Sequence, residues 1–241
     1  MTLPHAVKAV VFDMDGLLVD SEVMVREVMR EVTQRRGLTL PDEVFLRMVG
    51  LPGAASQLVA LAHFGDTFDY DGWNADVWAA AHARIDEGVA VKAGVVELLD
   101  LLDALGLPRA VATSSGHHNV ERQLRRDGLL ERFQTVVAHG DYARGKPNPD
   151  PFLVAAERLG ISPSVCLALE DSHNGVRAAH AAGMMTIMVP DLLEATDEMR
   201  GLCVAIAPSL HDVRSLILSQ AELHHETRRS NAQRRTSAPS A

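Results

Sequence analysis

The run Ala6-Val7-Lys8-Ala9-Val10-Val11-Phe12 stops at two carboxylates one residue apart, in Asp13-Met14-Asp15-Gly16. The run has too few polar positions to alternate, so it reads as a strand buried on both faces. The carboxyl end of such a strand is where open α/β sheets place their ligands. Two carboxylates held that close repel each other unless a cation or a shared proton compensates them.

The rest of the chain supplies partners for that strand. From Val91 onward, strand-like stretches at 109–112, 135–138, 165–169 and 185–189 alternate with helical ones at 95–105, 117–127, 151–159 and 173–182. Ser209 is expected to cap a last helix reaching Leu218, and Asp150 to cap the helix that carries Pro151 at its first position. This order implies right-handed βαβ units and an α/β fold, a Rossmann-like three-layer core with a mostly parallel sheet.

Between Ser21 and Gly88 no strand is evident. Helical stretches at 21–36, 42–49, 54–63 and 70–87 are separated by the breakers Gly50-Leu51-Pro52-Gly53 and Phe64-Gly65-Asp66. The expected organisation is a Rossmann-like core from residues 1–20 and 89–222, with a small α-helical domain at 21–88. Beyond Leu223 the sequence is polar, with Arg228, Arg229, Arg234 and Arg235 against Glu226, and 223–241 reads as a disordered tail.

A net charge of -9 argues against broad attraction to nucleic acid or anionic lipid. Cys166 and Cys203 sit in apolar stretches and read as buried small hydrophobes, not as a disulfide framework or a zinc site. Lys8 interrupts the first apolar run and Asp13 ends it, unlike a signal peptide, and no stretch has the apolar length of a membrane span. A soluble, cytoplasmic protein is expected.

Four strand ends offer polar groups with a use in phosphoryl transfer: Asp13 with Asp15, Thr113 with Ser114, Lys146 in Gly145-Lys146-Pro147, and Glu170 with Asp171. Singly, each has a plain structural explanation. Thr113-Ser114-Ser115 could turn the chain, Lys146 could be a surface lysine, and Glu170-Asp171-Ser172 could cap the next helix. Their shared position after strands makes coincidence a poor account of all four. An EF-hand reading of the Asp13 string fails, because its sixth and twelfth positions hold Leu18 and Met24 in place of glycine and glutamate.

The string from Asp13 to Glu22 resembles the first signature of the haloacid-dehalogenase-like hydrolases, and Thr113, Lys146 and Glu170-Asp171 fall at the places of the other three. The helical insertion after the first signature resembles the cap of the β-phosphoglucomutase and phosphoglycolate-phosphatase branch. The resemblance implies that Asp13 is a nucleophile forming an aspartyl phosphate and that Asp15 is the general acid and base. It also implies a Mg2+ ion held by Asp13, the main-chain carbonyl of Asp15 and Asp171, with Glu170 holding a metal-bound water. Thr113, Ser114 and Lys146 are then the phosphate-binding residues. The aspartate at position 15 resembles phosphatases and phosphomutases rather than dehalogenases.

Within that branch, mutases place a histidine and an arginine in the cap where this chain has Val25 and Gly53. The expected function is therefore Mg2+-dependent hydrolysis of a small phosphorylated metabolite. A phosphosugar mutase and a non-catalytic binder of phosphate esters are the alternatives. His117 and His118 follow the second signature and could touch substrate, although a surface histidine pair is more often only solvated.

Overall fold

A computed structural model of the protein describes residues 3–49, 51 and 53–236. The chain runs β1 (Ala9–Phe12), then α1 (Ser21–Arg35), α2 (Asp42–Met48), α3 (Gly53–Phe64) and α4 (Tyr70–Glu87) without an intervening strand. It continues α5 (Val95–Ala104), β2 (Arg109–Gly116), α6 (His117–Arg126), β3 (Thr135–His139), α7 (Asp150–Leu159) and β4 (Cys166–Glu170). The last elements are α8 (His173–Ala181), β5 (Met185–Met188), α9 (Asp197–Leu202), β6 (Ala205–Ile206) and α10 (Leu210–Thr236).

The six strands form one sheet in the order β3-β2-β1-β4-β5-β6, and every pair is parallel. β1 is central because all four of its residues are apolar and wholly buried, so both its faces need a covering layer. Val10 and Phe12 point into a cluster with Leu98, Leu99 and Leu102 of α5, Leu124 of α6 and Val213 of α10. Ala9 and Val11 face the opposite layer, where Phe152 and Ala155 of α7 and Ala178 of α8 pack against small residues of β2 and β4. Burying each large side chain contributes roughly 1.5–3 kcal/mol.

The helical block 21–87 has its own apolar cluster, built from Val28 and Val32 of α1, Phe45 of α2, Ala60 of α3 and Trp73 and Val77 of α4. Inside it the Trp73 indole N–H donates to Thr33 Oγ1 at 2.9 Å, and the Thr33 hydroxyl donates to the Met29 carbonyl at 2.6 Å. The two crossings between block and core are paired. The Asp20 N–H donates to the Ala90 carbonyl at 2.9 Å, and the Lys92 N–H to that of Leu18 at 3.0 Å.

Three sequence expectations change. Helix α7 begins at Asp150, and this residue does not cap it; its carboxylate accepts from the Arg144 guanidinium at 2.9 Å instead, with Pro151 in the first turn. The last helix does not stop near Leu218 but continues to Thr236, so the expected disordered tail is helical that far; 221–236 holds no Gly or Pro and is rich in helix formers. Residues 237–241 of that tail lie outside the described residues. The short α9 and β6 were not anticipated, because a two-residue strand carries no readable period.

Replacing Thr33 by Val leaves the buried Trp73 N–H without its acceptor. The Thr33→Val protein should lose about 1–3 kcal/mol in urea unfolding, with an unchanged far-UV spectrum.

Candidate active site

The order of the sheet reverses at β1, whose neighbours are β2 on one side and β4 on the other. In open α/β sheets the crevice outside the strand ends at such a reversal is the ligand site. Phe12 is in register with Val111 of β2 and Leu169 of β4, so the residues that follow these three paired positions emerge side by side. The Asp13 N–H extends the ladder by donating to the Leu169 carbonyl at 3.0 Å. The chain then turns sharply at Gly16, with φ at 83°, burying Met14, Leu17 and Leu18 behind the carboxylates. A Cβ on Gly16 would lie 2.3 Å from Asp171 Oδ2, so only glycine lets that carboxylate approach.

Lys146 brings the fourth cluster in. Its Nζ lies 2.5 Å from both Asp13 Oδ1 and Glu170 Oε1. The Phe152 ring centroid sits 5.2 Å from the same nitrogen. Glu170 is wholly buried and also accepts from the Ser172 hydroxyl at 3.0 Å and the Ser172 N–H at 3.2 Å. Ser172 caps α8 through the Gly175 N–H. Gly175 leaves room for Glu170, since a Cβ there would fall 1.9 Å from its carboxyl carbon.

Asp15 is held differently. Its Oδ1 accepts from the Ser21 hydroxyl at 2.9 Å, and its Oδ2 from Ser115 at 2.8 Å and Thr113 at 3.4 Å. Tyr142 fixes the end of β2 by donating to the Thr113 carbonyl at 3.0 Å. All seven sequence-read residues thus converge on one edge, with Ser114 exposed at its rim.

Electrostatically the site is short of positive charge. Burial pushes the Asp13 carboxyl up to about 8, with Glu170 and Asp15 adding to the effect of burial and Lys146 opposing it. Burial also drives Asp171 well above the usual carboxylate range, with further contributions from Asp13, Glu170 and Glu22. Burial opposes the Lys146 ammonium, but the charges of Asp13 and Glu170 prevail and hold its pKa above the ordinary value. Ligand atoms of Asp13, Glu170 and Asp171 lie within 4.8 Å of one another, and Asp171 Oδ1 is buried without a hydrogen-bond partner. Close, oxygen-only, under-neutralised donors fit a small hard cation. A second acidic group, Glu22, Asp171 and Asp191, shares one of those carboxylates. Burial, followed by the charges of Asp191 and Asp15, lifts Glu22 to about 7.

Sequence reasoning missed several contributors. Ser21 and Ser115 both serve Asp15, and each stood in a quoted motif without a role of its own. His117 and His118 do not line the cavity next to Asp15; His117 Nε2 sits 3.0 Å from Asp141 Oδ2 instead. Asn119 and Gln123 of α6 line it in their place. A count by helical turn from the end of β2 would have found them.

The raised carboxyls bind protons in the folded state that the unfolded chain has released above about pH 4. Stability from these groups is therefore full at low pH and is lost as pH rises through the shifted values. In chelator, Tm should fall between pH 5 and 8, and Asp171→Asn should flatten that fall.

Residues 7–183 match the haloacid dehalogenase-like hydrolase family. The Bacillus subtilis protein YhcW is 33% identical over 191 residues, spanning 79% of this chain and 86% of its own. Fructose-1-phosphate phosphatase YqaB of Escherichia coli is 33% identical over 184 residues, 74% of this chain and 94% of that protein. A crystal structure of a haloacid-dehalogenase-family hydrolase from Deinococcus radiodurans R1, with bound phosphate and sodium, is also similar. It superposes with a TM-score of 0.76 at 29% identity, covering 90% of this chain and 97% of the other.

Proposed function

The chain belongs to the haloacid dehalogenase-like hydrolase family, and from that premise we propose that it is a Mg2+-dependent phosphatase acting on a small phosphate monoester, a sugar phosphate or a similar metabolite. The observation that carries this reading is the pairing of Asp13 with Lys146 at 2.5 Å, beside Asp15 and Asp171 at the reversal of the sheet. The relative named for fructose 1-phosphate and the structure with bound phosphate support it.

Asp13 attacks phosphorus in line, forming a carboxylate–phosphorus bond while the ester P–O bond breaks. Asp15, oriented by Ser21 and Ser115, gives its proton to the leaving oxygen and then takes one from the water that releases phosphate. Lys146 neutralises Asp13 and steadies the phosphoryl oxygens, with Thr113 and the Ser114 N–H completing the cradle. Asp13, Asp171 and the main-chain carbonyl of Asp15 are the residues that would hold Mg2+, and Glu170 sits behind them. The ion supplies the positive charge that lets a carboxylate meet an anionic phosphate. The helical block acts as a cap over this edge, shielding the reaction from bulk water.

Val25 and Gly53 both line the cavity next to Asp15. Neither can grip a second phosphate, which favours hydrolysis over phosphosugar isomerisation. The complete set of carboxylates likewise disfavours a binder without catalysis.

Asp13→Asn keeps the shape of the side chain and removes its attacking charge. Phosphate release from a panel of monoesters should fall by about 1,000-fold or more with the fold intact; a tenth of wild-type turnover would remove Asp13 from the role.

Chelator should abolish turnover and Mg2+ restore it. Asp171→Ala should raise the Mg2+ concentration needed for half-maximal rate by about 10-fold or more, and Glu170→Gln by less. Full activity in excess chelator contradicts the metal assignment.

A further inference from the structure

A cavity of about 420 Å³ opens between Asp15 and the helical block. Met24 and Val25 of α1, Phe45 and Met48 of α2, and Val77 and Trp78 of α4 give it an apolar roof. Among the described residues no Lys, Arg or His lines it, and the charged side chains that do are the carboxylates Asp15 and Glu22. The roof is apolar, and the floor is not. Asn119 and Gln123 lie four residues apart on α6, on the face turned to the cavity. Gln123 is only 5% exposed, and its Oε1 is buried with no hydrogen-bond partner. A buried acceptor left unpaired in a cavity wall is a position that a ligand donor can fill.

We propose, resting on the phosphatase reading above, that this cavity selects monophosphates with a neutral leaving group that carries an apolar face and a hydrogen-bond donor. Gln123 Oε1 receives that donor. A leaving group with a second phosphate or a carboxylate is rejected, because the anion would leave water for a wall that has no Lys, Arg or His among its described residues and that carries two carboxylates. The site therefore separates a simple monoester from a bisphosphate or a phosphorylated hydroxy acid. It does so through the charge of the wall and not through its volume. Gln123 is the specificity-determining residue for the polar end of the leaving group, and the α1, α2 and α4 side chains determine its apolar face.

Three esters of one shape test this: naphthyl phosphate, its ring-hydroxylated derivative and its ring-carboxylated derivative, each assayed for kcat/KM with phosphate release as readout. The wild-type protein should prefer the hydroxylated ester over the parent by about 3- to 10-fold. It should disfavour the carboxylated one by about 10-fold or more. In Gln123→Leu the ratio of hydroxylated ester to parent should fall to near one. In Val25→Lys the ratio of carboxylated ester to parent should rise. Equal or better use of the carboxylated ester by the wild type overturns the inference while leaving the phosphatase reading standing. A hydroxyl preference that survives in Gln123→Leu overturns the role of Gln123. Release from none of the three esters, with release from another monoester of the panel, overturns the inference alone; release from no monoester at all overturns the phosphatase reading. The wild-type ratios need no variant, so a misfolded substitution does not spare the proposal.

Discussion

Three carboxylates, Asp13, Glu170 and Asp171, are buried together at one sheet edge with a single ammonium between them. Uncompensated, each buried ion costs several kcal/mol, and a lone lysine cannot balance three. Much of the surrounding architecture follows from holding that unfavourable group in place. Lys146 is shared between two carboxylates, Ser172 serves both Glu170 and the start of α8, and Gly16 and Gly175 clear the space the carboxyls occupy. A cation held by these carboxylates would complete the balance, and the deficit of positive charge is what suits the cluster to one.

The helical block is tied to this chemistry at its first residue. Ser21 opens α1 and donates to Asp15, and Glu22 beside it joins Asp171 and Asp191 in the second acidic group. The entry to the helical block and the residue proposed as the acid therefore share a hydrogen bond. Lys92, on the returning crossing, sits 2.5 Å from Asp191, so the exit is anchored to the same edge. The apolar cluster of the block has a separate role: it presents Met24, Val25 and Val77 as one wall of the cavity beside Asp15.

The core was legible because buried parallel strands announce themselves as short apolar runs, and Asp13, Asp15, Thr113, Ser114, Glu170 and Asp171 stand at or near the carboxyl ends of three of them. Those six positions depend on strand ends alone, whereas Lys146 stands in the connection between β3 and α7. The order itself, with β1 between β2 and β4, was not readable, since it depends on which crossovers pack on which face. Ser115 and Gln123 escaped notice because their roles are set by the direction in which β2 ends and α6 begins. Asp150 misled for a related reason: its position suits a cap, and a nearby arginine, Arg144, competes for its carboxylate. The tail misled through composition, as its charge pattern suited disorder while its residues also suit a helix.

The proposed phosphoryl transfer turns on covalent chemistry at one side chain, Asp13. Rapid acid quench during turnover, followed by borohydride reduction and peptide mapping, reports which carboxylate carried the phosphoryl group. Homoserine at position 13, in an amount that tracks turnover, is the expected result. Sustained phosphate release with Asp13 unmodified, or reduction at another carboxylate, would contradict it.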